Sequence, residues 1–274
     1  MKTLVPMAAV GALAVPCLAF AQDWSGPYVG ASFGSSELSG DDETLVFDTN
    51  LDGDFSDTVK TAGGADAFSP GFCDGAAIAR TPSDGCNGDK EDGGFGVRVG
   101  YDWQAGNFVY GVVLDASGVD IRDSVTGFST TPAAYVFTRQ VDTLAAVRGR
   151  VGYVVSDWLI YATAGYASAE IDRTFATTNA LNSFTATDGD DGSGAQYGLG
   201  FEKHINDRWK VGVEYLHTSL DDEAPIVRAG PSANTFASNP FLIVNTMGTD
   251  MRRSSDTIDI DTIHLTVTYR FGGM

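Results

Sequence analysis

Apolar and polar residues alternate with a period of two along most of this chain. Successive side chains therefore fall on opposite faces of extended strands, not on one stripe of a helix. In the 95–103 segment Phe95, Val97, Val99, Tyr101 and Trp103 share one face, opposite Gly96, Arg98, Gly100 and Asp102. Residues 104–107 have the length of a hairpin turn and contain a glycine. After them Phe108, Tyr110, Val112 and Leu114 lie opposite Gly111, Val113 and Asp115. The pattern repeats in 141–155 and 158–171, joined by Ser156-Asp157, and in 195–204 and 209–219, joined by 206–208. Segments 27–35 and 258–271 stand unpaired at the two ends, which makes eight predicted strands whose first and last members can close the sheet.

Short connections alternate with long polar ones, at 37–92, 119–140, 172–193 and 220–257. Strict alternation, an even strand count and strands of about 9–11 residues fit a membrane-crossing barrel with short periplasmic turns and four long extracellular loops. A soluble sandwich alternates too, but it would leave one of these faces in water. One face is continuously apolar. The other carries Arg98, Asp115, Arg148, Arg150, Glu170, Glu202, Lys210, Glu214 and Arg270, and suits a narrow lumen. Trp103, Phe108, Tyr153, Trp158, Trp209, Tyr269 and Phe271 gather at the short-turn ends as an interfacial girdle. The predicted fold is thus an all-β, eight-stranded antiparallel transmembrane β-barrel.

Composition narrows the class. Among 274 residues there are 33 glycines, 11% aromatics and a formal charge of −19, which argues against nucleic acid as a partner. No stretch of about 18 apolar residues follows the N-terminal segment, so spanning helices are not expected. Lys2, the apolar run from Leu4 to Ala14 and Ala19-Phe20-Ala21 read as a signal peptide over 1–21, which leaves 22–274 as one outer-membrane β-barrel domain of a Gram-negative-type envelope. Pro16 beside Cys17 fits lipoprotein processing poorly. The remaining cysteines, Cys73 and Cys86, are expected to form a disulfide in an oxidising compartment.

Trp24-Ser25-Gly26-Pro27-Tyr28-Val29-Gly30-Ala31 resembles the opening strand of the opacity-protein and OmpA-like small barrels. Thr266-Val267-Thr268-Tyr269-Arg270-Phe271 resembles their closing strand. The resemblance spans the mature chain and implies an outer-membrane location with a structural, surface-contact or porin-like role. Two departures are the Gly272-Gly273-Met274 tail after the terminal aromatic and the length of the first loop.

Four candidate sites follow. The inward charges Arg98, Asp115, Arg148, Arg150, Glu170, Glu202, Glu214 and Arg270 predict either a salt-bridged plug or a narrow charged pore. In the first loop Asp48, Asn50, Asp52 and Asp54 match the front half of a calcium loop, with Gly53 at the sixth position, but Val59 stands where a bidentate Glu is needed. Ca²⁺ is the one metal suggested, and no cofactor motif occurs. His217 and Ser219 share an outward face with Asp259 and Asp261, a carboxylate-His-Ser set that could activate the hydroxyl for acyl transfer and that resembles the lipid-facing His-x-Ser of small barrels that deacylate lipid A. The Asn that follows the Ser in such enzymes is Leu220 here. Finally, the first loop holds 14 acidic and 3 basic residues between Glu37 and Asp92. That excess suits lipid and lipopolysaccharide neighbours bridged by divalent cations. His204 and His264 fall on the lumen face and are expected to be hydrogen-bonded fillers.

Overall fold

The computed structural model describes residues 23–40, 43–90, 92–187, 189 and 191–271; the expected signal peptide at 1–21 and the 272–274 tail lie outside them. Eight long strands form a closed antiparallel ring: β1 (Gly26–Leu38), β2 (Gly93–Ala105), β3 (Phe108–Ser129), β4 (Ala133–Val155), β5 (Trp158–Thr177), β6 (Gly192–His204), β7 (Trp209–Asp221) and β8 (Thr257–Arg270). Each pairs with its sequence neighbours. β1 closes the ring on β8, with Tyr28 opposite Arg270 and Leu38 opposite Ile260. Closure removes the sheet edges of the membrane-crossing ring, as a strand array without water around its backbone requires.

The apolar parity of each strand faces outward. Phe95 is 53% exposed, Leu199 64% and Leu265 61%, while the opposite parity is buried in the lumen. So large and continuous an apolar surface is stable only against lipid. Aromatic pairs Phe108–Tyr153 and Trp209–Tyr269, with ring centroids 5.2 and 5.1 Å apart, sit beside the tight turns as the girdle. The turns are short as expected, with positive φ at Gly106 (62°) and Ser156 (60°).

The long connections differ from expectation. The segment 119–140 is strand, not loop: β3 and β4 stay paired up to Ser129 and Ala133, with register shifts near 118–121 and 141–143. These strands have 22 and 23 residues. Roughly 10 residues of each therefore continue beyond the bilayer, a rise of about 25 Å along the tilted strands. β5 likewise runs on to Thr177. Polar residues such as Ser124 and Thr126 made the segment read as a loop, yet both are buried because other chain segments cover the hairpin.

Those segments form a cap. A four-stranded sheet runs in the order Ser183–Ala186, Val227–Gly230, Thr249–Arg253, Leu45–Asp48. It draws strands from the first, third and fourth outward connections and packs on the β3–β4 hairpin through Phe47, Phe68, Tyr135, Phe137, Phe241 and Met251. Gly71–Asp74 adds to the upper edge of β3, and Cys73 and Cys86 are disulfide-bonded as expected.

Candidate functional site

The lumen is built from the inward parity of the eight strands, and its charges fall in two layers. In the first, the Arg98 guanidinium donates to Glu214 (Nη2–Oε2, 2.8 Å). Arg148 donates to Asp115 (2.9 Å) and lies 3.2 Å from Glu214, and the Tyr161 hydroxyl donates to Glu214 (3.0 Å). In the second, Arg150 bridges Asp102 and Glu202, donating to Glu202 at 2.8 Å. Lys210 stands 3.4 Å from Glu202 and 3.6 Å from Asp102. Four cations thus meet four carboxylates, all essentially buried. Buried charges persist only when so paired. Arg150 also lies 5.0 Å from the ring centres of both Tyr28 and Tyr161. Glycines at 100 and 200 make room for those two rings, which a Cβ at either position would strike.

Apolar layers close both ends. At the tight-turn end Trp24, fully buried, packs with Val109, Val154 and Leu159. Its ring meets His204 edge-on at 4.2 Å. At the outer end Ile121, Val141, Leu144, Ile171, Leu220 and Ile260 form one cluster across the lumen. The void between that cluster and the polar side chains of Gln196 and His264 is about 10 Å³, at the lower limit for a single water.

Above the apolar cluster lies a polar recess of about 570 Å³, lined by Glu43, Asp74, Asp89, Asp123 and Arg139 among others. Arg139 donates to Glu43, Asp123 and Asp222 at 2.7, 2.5 and 3.0 Å, and Arg253 donates to Glu43 and Asp123. Burial raises Asp123, but the two guanidiniums outweigh it and hold the carboxyl below its usual range. Asp89 makes no ion pair with an arginine among the described residues. Burial pushes it up to about 6, against the opposing Ser124 N–H bond and with help from Asp123 and Asp74. The sequence reading missed this network, since its residues lie in stretches read as loops. The signal available was the presence of Arg139, Arg173 and Arg253 in polar stretches of so acidic a chain.

Most of the other expected site residues can be placed. Arg270 sits at the tight-turn mouth, 3.2 Å from Asp23. Glu170 does not belong to the lumen: it shares the outward parity of Trp158, Ile160 and Tyr166 and is exposed, so the period-two rule itself excludes it. His204 and His264 are buried in the lumen as expected. Asp48 is folded inward and accepts backbone N–H bonds from Leu51, Asp52 and Gly53. Val59, at the twelfth position, is buried in the cap core and offers no side-chain oxygen.

His217, Ser219, Asp259 and Asp261 do come together. His217 pairs across strands with Asp261 and Ser219 with Asp259. His217 Nδ1 lies 2.7 Å from Asp261, which also accepts from the Tyr215 hydroxyl, and Nε2 lies 3.9 Å from Asp259. No hydrogen bond joins His217 to the Ser219 hydroxyl among the described residues, the contact that general-base activation requires.

A sequence model of the family described as outer membrane protein beta-barrel domain matches residues 5–271. The 31 kDa outer-membrane immunogenic protein of Brucella melitensis is 33% identical over 138 residues, 48% of this chain; the match spans 56% of that relative's length. The 22 kDa outer membrane protein of Rhizobium leguminosarum is 27% identical over 185 residues, 66% of this chain and 76% of that one. Among solved structures, the outer membrane protein OprG of Pseudomonas aeruginosa covers 91% of this chain and 97% of its own, at 14% identity and a TM-score of 0.49.

Proposed function

Because the chain belongs to the outer membrane protein beta-barrel domain family, we propose that its barrel is a closed, non-enzymatic anchor and that its work is surface contact by the cap. The observation that carries this reading is the lumen. Four cations and four carboxylates neutralise one another there, and an apolar layer closes each end. Ion passage would require breaking several buried pairs at once, each costing about 3–5 kcal/mol. The long β3–β4 hairpin and the cap sheet place folded, polar surface well outside the bilayer. The Brucella relative's name, outer-membrane immunogenic protein, agrees with a chain whose outer segments are presented to the surroundings.

In this reading lipid lines the apolar band. Lipopolysaccharide meets the outer edge, where Glu37, Asp142 and Glu170 are exposed and suit divalent-cation bridging to phosphate. A cation at the Asp48 loop is no part of the proposal, given Val59. Neither is hydrolysis at His217, which makes no hydrogen bond to Ser219 among the described residues.

Planar-bilayer conductance of the refolded protein, checked for folding by heat-modifiable gel mobility, tests the closed lumen. The expected trace is silent. Discrete, reproducible steps from folded wild-type protein would replace this reading with a small porin.

A further inference from the structure

The cap contains a cavity of about 220 Å³ to which all four outward connections contribute. Phe68 comes from the first, the turn between β3 and β4 from the second, Leu181 from the third, and Phe236 and Phe241 from the fourth. The volume exceeds the ~150 Å³ apolar cavity that is known to admit benzene. Its wall is aromatic and fixed. The Tyr135 ring centre lies 5.3 Å from that of Phe68 and 5.6 Å from that of Phe241, and all three residues are nearly fully buried.

The polar groups around it are already satisfied. Asn179 donates to the Tyr135 hydroxyl (2.9 Å), Asn239 to Asn182 (3.0 Å) and Asn182 to the Gly230 carbonyl (3.1 Å). The site therefore keeps its shape without a ligand, the condition under which little binding energy is lost to ordering.

Charge then selects among apolar occupants. The chain has 36 acidic residues, yet among the described residues no Asp or Glu lines this cavity. Its one charged lining residue is Arg80, which is exposed and makes no ion pair among the described residues. The arginines of the lumen and of the polar recess, by contrast, are all held by carboxylates. An aromatic box with one uncommitted guanidinium at its wall matches a ring that carries a single negative charge.

We propose that this cavity is a binding site for small aromatic carboxylates, the ring stacked among Phe68, Tyr135 and Phe241 and the carboxylate on Arg80. The proposal goes beyond the surface-contact reading and does not depend on whether the lumen is closed.

The test uses the full mature protein in lipid nanodiscs, so that detergent does not compete for the cavity. Benzoate and the neutral benzyl alcohol are the probes, read by calorimetry and by saturation-transfer NMR. Benzoate is expected to bind saturably and more tightly than benzyl alcohol. Arg80→Gln is expected to weaken benzoate by about three- to five-fold, the scale of one exposed ion pair, and to leave the alcohol unchanged. Thr131→Trp, in the exposed turn beside the cavity, should reduce both and spare folding. Three results would each overturn the proposal: no saturable benzoate binding to folded wild type, equal binding of the two probes, or binding that neither variant changes, which would mark partition into lipid. None of them bears on conductance.

Discussion

Arg98 of β2 and Glu214 of β7 meet across the lumen at 2.8 Å, although 116 residues separate them in sequence. Their strands are not neighbours in the ring, so the bond ties opposite walls together. Glu214 also serves Arg148 and the Tyr161 hydroxyl. Removing it with Glu214→Ala leaves two buried guanidiniums short of a counter-charge, and the expected loss is about 3–5 kcal/mol. Urea unfolding in lipid vesicles, followed by gel mobility, measures it. Glu214→Gln keeps the shape and one acceptor and should lose less. A loss below about 1 kcal/mol for the alanine variant would mean that water fills the lumen and screens the arginines.

Gly200 and Tyr161 form a close contact of the same layer. A Cβ at 200 would strike the Tyr161 ring, whose hydroxyl donates to Glu214 and whose face lies under Arg150. Gly200→Ala is expected to cost about 1–3 kcal/mol by overpacking. Pairing it with Tyr161→Leu should cost less than the sum of the two single changes, because the clash is gone. Strict additivity in the same unfolding assay would show that the ring does not occupy this position.

The recess between cap and barrel supplies a pH dependence. Asp89 is pushed up to about 6 from the usual 3.8, by burial first and then by Asp123 and Asp74, with Ser124 N–H and Arg253 opposing. The folded state therefore binds this proton more tightly than the unfolded state does. Asp89 is neutral below about pH 4, and from there its contribution to stability falls as pH rises to about 6. Asp123 shifts the other way, so wild type alone mixes both signs. Comparison with Asp89→Asn isolates the group. The variant should be more stable than wild type at pH 7, by about 1 kcal/mol after allowing for solvent screening at this half-exposed site, and equal to it at pH 4. Thermal melts of the cap at the two pH values check this, and a difference independent of pH would refute it.

The barrel was legible in the sequence because the lipid–lumen boundary imposes period two over eight segments. Parity alone places Arg98, Arg148, Arg150, Glu202 and Glu214 inside. Applied consistently it also places Glu170 outside. The cap was not legible, since burial there comes from segments distant in sequence. Ser124 and Thr126 are polar yet buried because the cap covers the hairpin, and Arg139 finds Asp123, Glu43 and Asp222 only when three connections converge. No local period records such contacts. Trp24 illustrates the same limit. It entered only through a strand motif, whereas in the fold it lies inside the lumen against His204 and Lys210.

Leu199 on β6 and Met247 in the cap are almost equally exposed, at 64% and 62%. Accessibility alone predicts that the two tolerate charge alike. The barrel reading predicts otherwise, because Leu199 lies in the apolar band with Tyr197 and Phe201 on its own outward face. Leu199→Arg should therefore cost about 2–4 kcal/mol, the scale for a cation near the middle of a bilayer. Met247→Arg leaves its side chain in water and should change stability by no more than about 0.5 kcal/mol. Both variants are compared by reversible unfolding in vesicles of fixed lipid composition. Equal small effects would mean that the exposed face of β6 is not in lipid, and with that the membrane-spanning assignment of the band would fail. The assay also locates the outer boundary: moving the arginine outward along β8, from Leu265 to Ile263 and then to Asp261, should show the cost fall toward the interface, where Asp261 already carries charge.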